Sequence, residues 1–221
     1  MPTYTAPTRD TRFIVNEVLD LPSYNNLPGF ESATPDMIDT VINEAGKFCS
    51  EVIAPLNQIG DEQGCTRHED GSVTTPDGFK EAYAQFRESG WGTLAQPEEF
   101  GGQGMPHVLG FAVEEYMGTA NQAFAMYPGL TGGAVAALIA KGSPEQQEKY
   151  LPKMISGEWS GTMNLTEPHC GTDLGLIRTK AEPQADGSYA ITGTKIFISA
   201  GEHDLTSNII HLVLAKTPGA P

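Results

Sequence analysis

Two short stretches carry the residue types from which a ligand site is made. The first is Met163-Asn164-Leu165-Thr166-Glu167-Pro168-His169-Cys170-Gly171-Thr172-Asp173, and the second is Lys195-Ile196-Phe197-Ile198-Ser199. Gly171 lets the backbone approach a ligand closely, and Thr166 and Thr172 supply hydroxyls that both donate and accept. Glu167 is the obvious carboxylate, but directly before Pro168 it is better placed to anchor a turn. His169 has the titration range of an acid-base group. Cys170 has no cation near it in sequence to lower its thiol pKa, so it is expected to fill space rather than to react. A polar, glycine-bearing loop between strands has the same composition, and on physical grounds alone that plainer account is the stronger.

The elements that must position these residues follow from periodicity and punctuation. Residues 1–33 carry one apolar cluster, Phe13-Ile14-Val15 with Val18-Leu19, and predict a short helix followed by an extended arm. Thr34 can cap and Pro35 suits a first helical turn, while Met37, Ile38, Val41, Ile42, Ala45, Phe48 and Val52 recur at helical spacing up to Pro55. Gly60, Gly64 and Asp70-Gly71 mark a polar loop. Phe79, Tyr83 and Phe86 mark a helix that Gly90 can terminate, and Glu98 to Gly104 is a turn-rich loop. Helices resume around Val108 to Met117, over Leu130 to Ala140 as a mostly buried segment, and from Ser143-Pro144-Glu145 to near Pro152. After Trp159 β-branched alternation takes over. Strands are expected at Ser160 to Leu165, Thr179 to Glu182, Tyr189 to Thr192, Lys195 to Ser199 and Ile209 to Ala215, with Asp186-Gly187 as a hairpin turn. Helices first and strands second predict an α+β chain. It divides into an arm (1–33), a helical domain (34–158) and a β domain (159–221).

Composition narrows the function classes. With 221 residues, 39% of them hydrophobic, the chain can bury a sizeable core. Its apolar run from Gly129 to Ala140 is too short and too glycine-broken for a membrane span, so none is expected. The start, Met1-Pro2-Thr3-Tyr4-Thr5, lacks the features of a secretory signal, and a cytoplasmic protein is the expectation. Three irregularly spaced cysteines fit neither a disulfide framework nor a metal site. The net charge of −15 is concentrated in residues 1–150, which hold 8 Lys and Arg against 21 Asp and Glu. Such a surface repels phosphate backbones and argues against a nucleic-acid partner.

The stretch from Thr162 to Lys180 resembles the signature of the acyl-CoA dehydrogenase family, in which Ser/Thr-Glu-Pro is followed by Gly-Ser/Thr-Asp. Further similarities are Gly90-Trp91-Gly92-Thr93-Leu94, Pro97-Glu98-Glu99-Phe100-Gly101-Gly102, Gln147-Glu148-Lys149-Tyr150-Leu151-Pro152 and Gly193-Thr194-Lys195-Ile196-Phe197-Ile198-Ser199. They lie in order from about residue 34 onwards. The arm Thr11 to Leu19 resembles a longer bacterial subgroup of the family, one that includes 3-methylmercaptopropionyl-CoA dehydrogenases. The sequence departs from the family pattern at Asn164, at His169-Cys170 and at Leu176, where small residues are usual.

The resemblance implies a helical domain followed by a partial antiparallel β domain, with FAD as cofactor. Met163 and Leu165 would offer backbone groups to the flavin's pyrimidine edge and Thr166 a hydroxyl. Phe197, with Ile198 beside it, would pack along the ring, and Ser199 would hydrogen-bond at N5, where hydride arrives. Gly171 and Thr172 would meet the acyl-CoA and the flavin pyrophosphate. Met126 and Tyr127 fall near the acyl pocket of relatives, although core packing explains both. His169 is left a structural or solvent-facing place, because the family's reaction takes no base from this loop. The implied reaction is α,β-dehydrogenation of an acyl-CoA thioester, with an electron-transfer flavoprotein as acceptor. Its glutamate base belongs to a C-terminal helical domain, so the chain is expected to contain no catalytic residue, to be inactive alone, and to be part of a homo-oligomeric parent. The alternatives are a non-enzymatic binding module of the same fold, a nucleic-acid-protecting relative, and a flavin oxidase acting on a non-CoA substrate.

Overall fold

A computed structural model describes residues 3–220. The arm opens with α1 (Thr8–Phe13), which runs into a π turn over Ile14–Val18 and then a 3-10 turn over Leu21–Tyr24. Ala6, Val15 and Leu21 are buried in the same core as the helices that follow. Helix α2 (Pro35–Phe48) begins at Thr34, whose hydroxyl accepts the Met37 N–H at 3.3 Å. Its buried face is Ile38, Val41, Ile42, Ala45 and Phe48, the period read in the sequence.

Pro55 separates α2 and its π-turn extension (Cys49–Ile53) from a further helix, α3 (Leu56–Gln63). Gly60 therefore lies in a helix rather than in the expected polar loop. A Cβ at Gly60 would sit 3.0 Å from the Phe79 ring, so glycine here serves close packing. The rest of that segment forms a small antiparallel ribbon, β1 (Thr66–Arg67) with β2 (Val73–Thr74), turning at Gly71 with φ +90°.

Helices α4 (Phe79–Glu88), α5 (His107–Ala120), α6 (Gln122–Lys141) and α7 (Pro144–Ile155) complete the helical part. Helix α6 starts eight residues before the expected Leu130. Buried Asn121 caps it, its side-chain oxygen accepting the Phe124 N–H at 3.0 Å, and Pro128 is carried inside it. By length and apolarity α6 could cross a membrane. Its buried residues Phe124, Tyr127, Ala134, Val135 and Leu138 instead pack within the two hydrophobic cores. Helix α7 opens with a capping box formed by Ser143 and Gln146 and likewise continues past Pro152.

The strands are β3 (Trp159–Asn164), β4 (Lys180–Pro183), β5 (Tyr189–Thr192) and β6 (Asn208–Val213). β4 and β5 form an antiparallel hairpin around Gly187, φ +85°. β3 and β6 pair in parallel, Gly161 opposite Ile210 and Met163 opposite Leu212, so the α+β architecture has a mixed rather than purely antiparallel strand direction. A parallel pair requires a long crossover, and the whole segment from Leu165 to Ser207 supplies it. Lys195 to Ser199 is not a strand. Phe197 (φ 59°) and Ala200 (φ 55°) take left-handed backbone conformations that interrupt any ladder.

β3 is held against α6 at Gly161. A Cβ there would lie 2.6 Å from the Ala134 Cβ and 2.8 Å from the Met154 Cε, and the Gly161 N–H donates to Thr131 Oγ1 at 3.1 Å. The strand that leads into the loop of interest is thus fixed directly to the helical part.

Candidate functional site

The loop after β3 is organised by one carboxylate. Glu167, 3% exposed, accepts the Arg178 N–H at 2.7 Å, the Thr179 N–H at 3.0 Å, the Thr179 hydroxyl at 2.6 Å and the Lys195 ammonium at 2.9 Å. Burial pushes its carboxyl up, but the Thr179 hydroxyl, the Arg178 N–H, the Lys195 ammonium and the Thr179 N–H together hold it well below the usual carboxylate range. Glu167 is therefore a fixed anion that ties three chain segments together, in keeping with its expected role as an anchor. A tight turn follows, with the Glu167 N–H donating to Cys170 O at 2.8 Å and the Cys170 N–H to Glu167 O at 3.1 Å.

Lys195 is the link between the two stretches of interest. Its side chain keeps only 8% of its surface, and its ammonium donates to the Leu165 carbonyl at 2.9 Å as well as to Glu167. The Ile196 N–H donates to Thr166 O at 2.9 Å, adding a backbone contact beside the ion pair. Leu165, Thr166, Lys195 and Ile196 are thereby brought together, with Phe197, Ile198 and Ser199 continuing the second segment. An ideal Cβ on Gly171 would lie 3.5 Å from Thr166 Cγ2, which places Gly171 beside that threonine. Thr172 is exposed on the same loop.

Several groups on this surface are open to a ligand. Phe197 is 88% exposed, and its left-handed backbone is strained for a bulky residue by about 1–3 kcal/mol. Met163 at the end of β3 is 36% exposed. Thr166, Ile198 and Ser199 are half-buried, and among the described residues no backbone carbonyl accepts the N–H of any of the three. Unengaged donors, two hydroxyl residues and an exposed aromatic ring suit a flat, acceptor-rich ligand.

His169 is not free for acid-base work: its Nε2 lies 3.0 Å from the Leu176 carbonyl, and 3.6 Å from Glu167 Oε2. Cys170 is buried. Glu167, His169 and Cys170 do converge within 4.8 Å, as metal ligands would. The carboxylate, however, already accepts from four donors, one of them the Lys195 ammonium, which leaves no basis for a metal there.

A groove of about 300 Å³ opens among the helices, lined by Trp91, Val113, Met117, Met126, Leu130 and Met154 among others. Thr131, which holds β3 at Gly161, also lines it. Met126 faces this groove, whereas Tyr127 belongs to the core. The Tyr127 ring meets His203 edge-on at 5.1 Å, and its hydroxyl lies 3.8 Å from Cys65 Sγ.

His203 has no signal in the sequence. It is 5% exposed, with Nε2 3.0 Å from Ser160 Oγ, while Nδ1 accepts the Leu205 N–H at 3.2 Å. That second bond places the ring proton on Nε2, so the imidazole donates to Ser160 and cannot act as its base. Asp204 beside it accepts the Thr75 hydroxyl at 2.7 Å and the Thr75 N–H at 3.1 Å. The pair fastens this segment to the helical part. An isolated histidine in a polar run gives no sequence signal for such a role.

A helical part with β strands after it, and a loop from β3 locked to a second segment by a buried ion pair, define the architecture. The family model for the N-terminal domain of acyl-CoA dehydrogenases matches residues 38–158, more than half of the chain. The chain belongs to the acyl-CoA dehydrogenase family.

Over 219 residues it is 49% identical to the 3-methylmercaptopropionyl-CoA dehydrogenase of Ruegeria pomeroyi, covering 99% of this chain and 37% of the relative. It is 39% identical to a butyryl-CoA dehydrogenase of Syntrophomonas wolfei, covering 98% and 36%. The chain thus spans little more than a third of the length of these relatives. Among solved structures, the acyl-CoA dehydrogenase from Bacillus anthracis complexed with FAD is 25% identical with a TM-score of 0.67, over 84% of this chain and 30% of that one. The butyryl-CoA dehydrogenase from Megasphaera elsdenii shares the fold at 22% identity and a TM-score of 0.68, over 85% and 46%.

Proposed function

We propose that this chain is the flavin-facing part of an FAD-dependent dehydrogenase that removes hydrogen across the α,β bond of an acyl-CoA thioester. The observation that carries the proposal is the locking of Leu165-Thr166-Glu167 to Lys195-Ile196, with Thr166, Ile198 and Ser199 left holding unengaged backbone donors. FAD, when bound, supplies the acceptor for the β-hydrogen. Met163 and Leu165 would offer it backbone groups, Thr166 its N–H and hydroxyl, Phe197 and Ile198 apolar contact, and Ser199 a further donor. Donors at those positions matter because the ring gains negative charge on reduction. Gly171 and Thr172 would meet the acyl-CoA and the pyrophosphate.

The groove beside Met126 has the size and the largely apolar wall of a small-ligand site, and it takes the acyl chain. No described residue is assigned as base: Glu167 is a fixed anion and His169 is spent on a carbonyl. On this reading the base and part of the FAD site come from polypeptide outside these residues. The 221-residue chain then does not turn over by itself, and the parent enzyme is a cytoplasmic homo-oligomer whose electrons pass to an electron-transfer flavoprotein.

The test uses the longer protein that carries this sequence, purified without added cofactor. It is expected to be yellow, and butyryl-CoA or 3-methylmercaptopropionyl-CoA is expected to bleach its flavin absorbance. A colourless protein that does not take up added FAD overturns the reading in favour of a binding module. A yellow protein bleached only by non-CoA substrates points to the oxidase alternative.

A further inference from the structure

We infer that Lys195 is a positioning residue for the flavin site, one that sets both the placement and the donor strength of the Thr166 N–H, with Glu167 as its buried counter-charge. The inference rests on the FAD reading above. The Leu165 carbonyl and the Thr166 N–H belong to one rigid peptide unit. The Lys195 ammonium, 2.9 Å from that carbonyl, polarises the unit and makes its N–H a stronger donor. The Ile196 N–H on Thr166 O, at 2.9 Å, holds the next peptide unit of the loop. Consecutive peptides on either side of Thr166 are therefore set from the segment that carries Phe197 and Ser199.

This ion pair differs from an ordinary surface pair in two ways. Its side chains are 8% and 2% exposed, so solvent does not screen it strongly. Glu167 is also immobilised by the Arg178 and Thr179 donors, so Lys195 meets an anion fixed in place. The two charges balance one another toward the flavin, and removing either leaves the other uncompensated in a poorly hydrated site. Charge therefore makes a signed prediction. Loss of the lysine exposes a negative carboxylate to a ring that gains negative charge on reduction, and loss of the carboxylate exposes a positive ammonium.

The experiment measures the reduction potential of the bound flavin against a reference dye in the FAD-loaded longer protein, for Lys195→Met, Lys195→Arg and Glu167→Gln. Lys195→Met is expected to lower the potential and Glu167→Gln to raise it. The methionine variant is also expected to retain FAD about tenfold less tightly, because the Thr166 N–H loses the ammonium that places it and strengthens it as a donor. Lys195→Arg, which keeps the charge with different geometry, should fall between wild type and Lys195→Met. Shifts of the same sign in Lys195→Met and Glu167→Gln, or no shift, overturn the inference, because simple disruption of the loop moves both alike. If Lys195→Met does not fold, the sign of the Glu167→Gln shift and the partial retention by Lys195→Arg decide the matter. Absence of FAD from the wild-type protein refutes the functional reading instead, which separates the two failures.

Discussion

The helical part and the β part of this chain are held by different forces. Helices α2, α5 and α6 close around Ile38, Ile42, Leu109, Tyr116 and Phe124, none more than 1% exposed. Among the described residues from Trp159 onwards the buried apolar side chains are only Cys170, Ile177 and Leu205, while Ser160, Thr162, Glu167, Thr179 and His203 are buried polar groups. Apolar burial is non-directional, so it stabilises a scaffold without dictating where a single carbonyl points. Hydrogen bonds to a fixed carboxylate do dictate direction. The loop that must present backbone donors to a ligand is built on the second principle, and its strand is anchored on the first through Gly161.

The largest effect should come from breaking the scaffold. Phe124 is fully buried in the core against Phe79 and Tyr83, at ring distances of 5.8 Å and 6.5 Å. Phe124→Ala is expected to cost about 3–5 kcal/mol from lost burial and the cavity left behind. The two tryptophans report the parts separately, Trp91 among the helices and Trp159 on β3. In denaturant titrations of single-tryptophan variants, both signals should move to a lower midpoint in Phe124→Ala, because α6 carries β3. A Trp159 transition that kept its wild-type midpoint would show that the β part does not depend on the helical scaffold.

Acid should act in the opposite sense, loosening the β part first. The Glu167 carboxyl has a folded pKa below its unfolded one, so its stabilisation is complete above the ordinary value of about 4.3 and is lost as pH falls below it. Asp204 behaves likewise: burial raises its pKa, and the Thr75 hydroxyl and N–H more than offset this. Burial depresses the His203 pKa against the pull of Glu202 and Asp204. The neutral imidazole is therefore the folded form, and its contribution begins to fade below about 6.5. All three losses lie on the acid side and act at or beyond β3. Trp159 emission is expected to change at higher pH than Trp91 emission, and simultaneous changes would count against the distinction between the two parts.

Sequence legibility follows the same division. Helix α2 could be read because its cap, its Pro35 and its apolar period all agree. The start of α6 was hidden by Pro128, which marks a boundary in most contexts but here sits inside a helix begun by Asn121. Lys195 to Ser199 has the alternating Ile196 and Ile198 of a strand, and only the left-handed Phe197 and Ala200 make it otherwise. The loop from Thr166 to Asp173 stood out by its residue types. That its Glu167 pairs with Thr179 and Lys195 is not legible there, because contacts across 12 and 28 residues leave no local pattern.

A smaller effect is expected at the start of α7, where it can be assigned to the helix alone. Ser143 accepts the Gln146 N–H at 3.3 Å and its own N–H donates to the Gln146 side chain at 2.9 Å. Ser143→Ala should cost about 1 kcal/mol by denaturant titration. The Trp159 pH profile should be unchanged, since the cap lies at the far end of α7 from the strand.

The smallest effect tests whether surface charge contributes to the join between the two parts. Lys153 at the end of α7 reaches Glu158 at 3.0 Å and lies 4.5 Å over the Trp159 ring, so by position it bridges helix and strand. Its side chain is 46% exposed and that of Glu158 43%, and solvent screens such a pair. Glu158→Gln should therefore change stability by less than about 1 kcal/mol, and added salt should reduce even that. The Lys195–Glu167 pair has nearly the same length, 2.9 Å, but is buried. If Glu158→Gln weakened the β part as much as Glu167→Gln, the distance between the charges rather than their burial would govern the fold here. The contrast between a screened scaffold surface and a desolvated site would then fail.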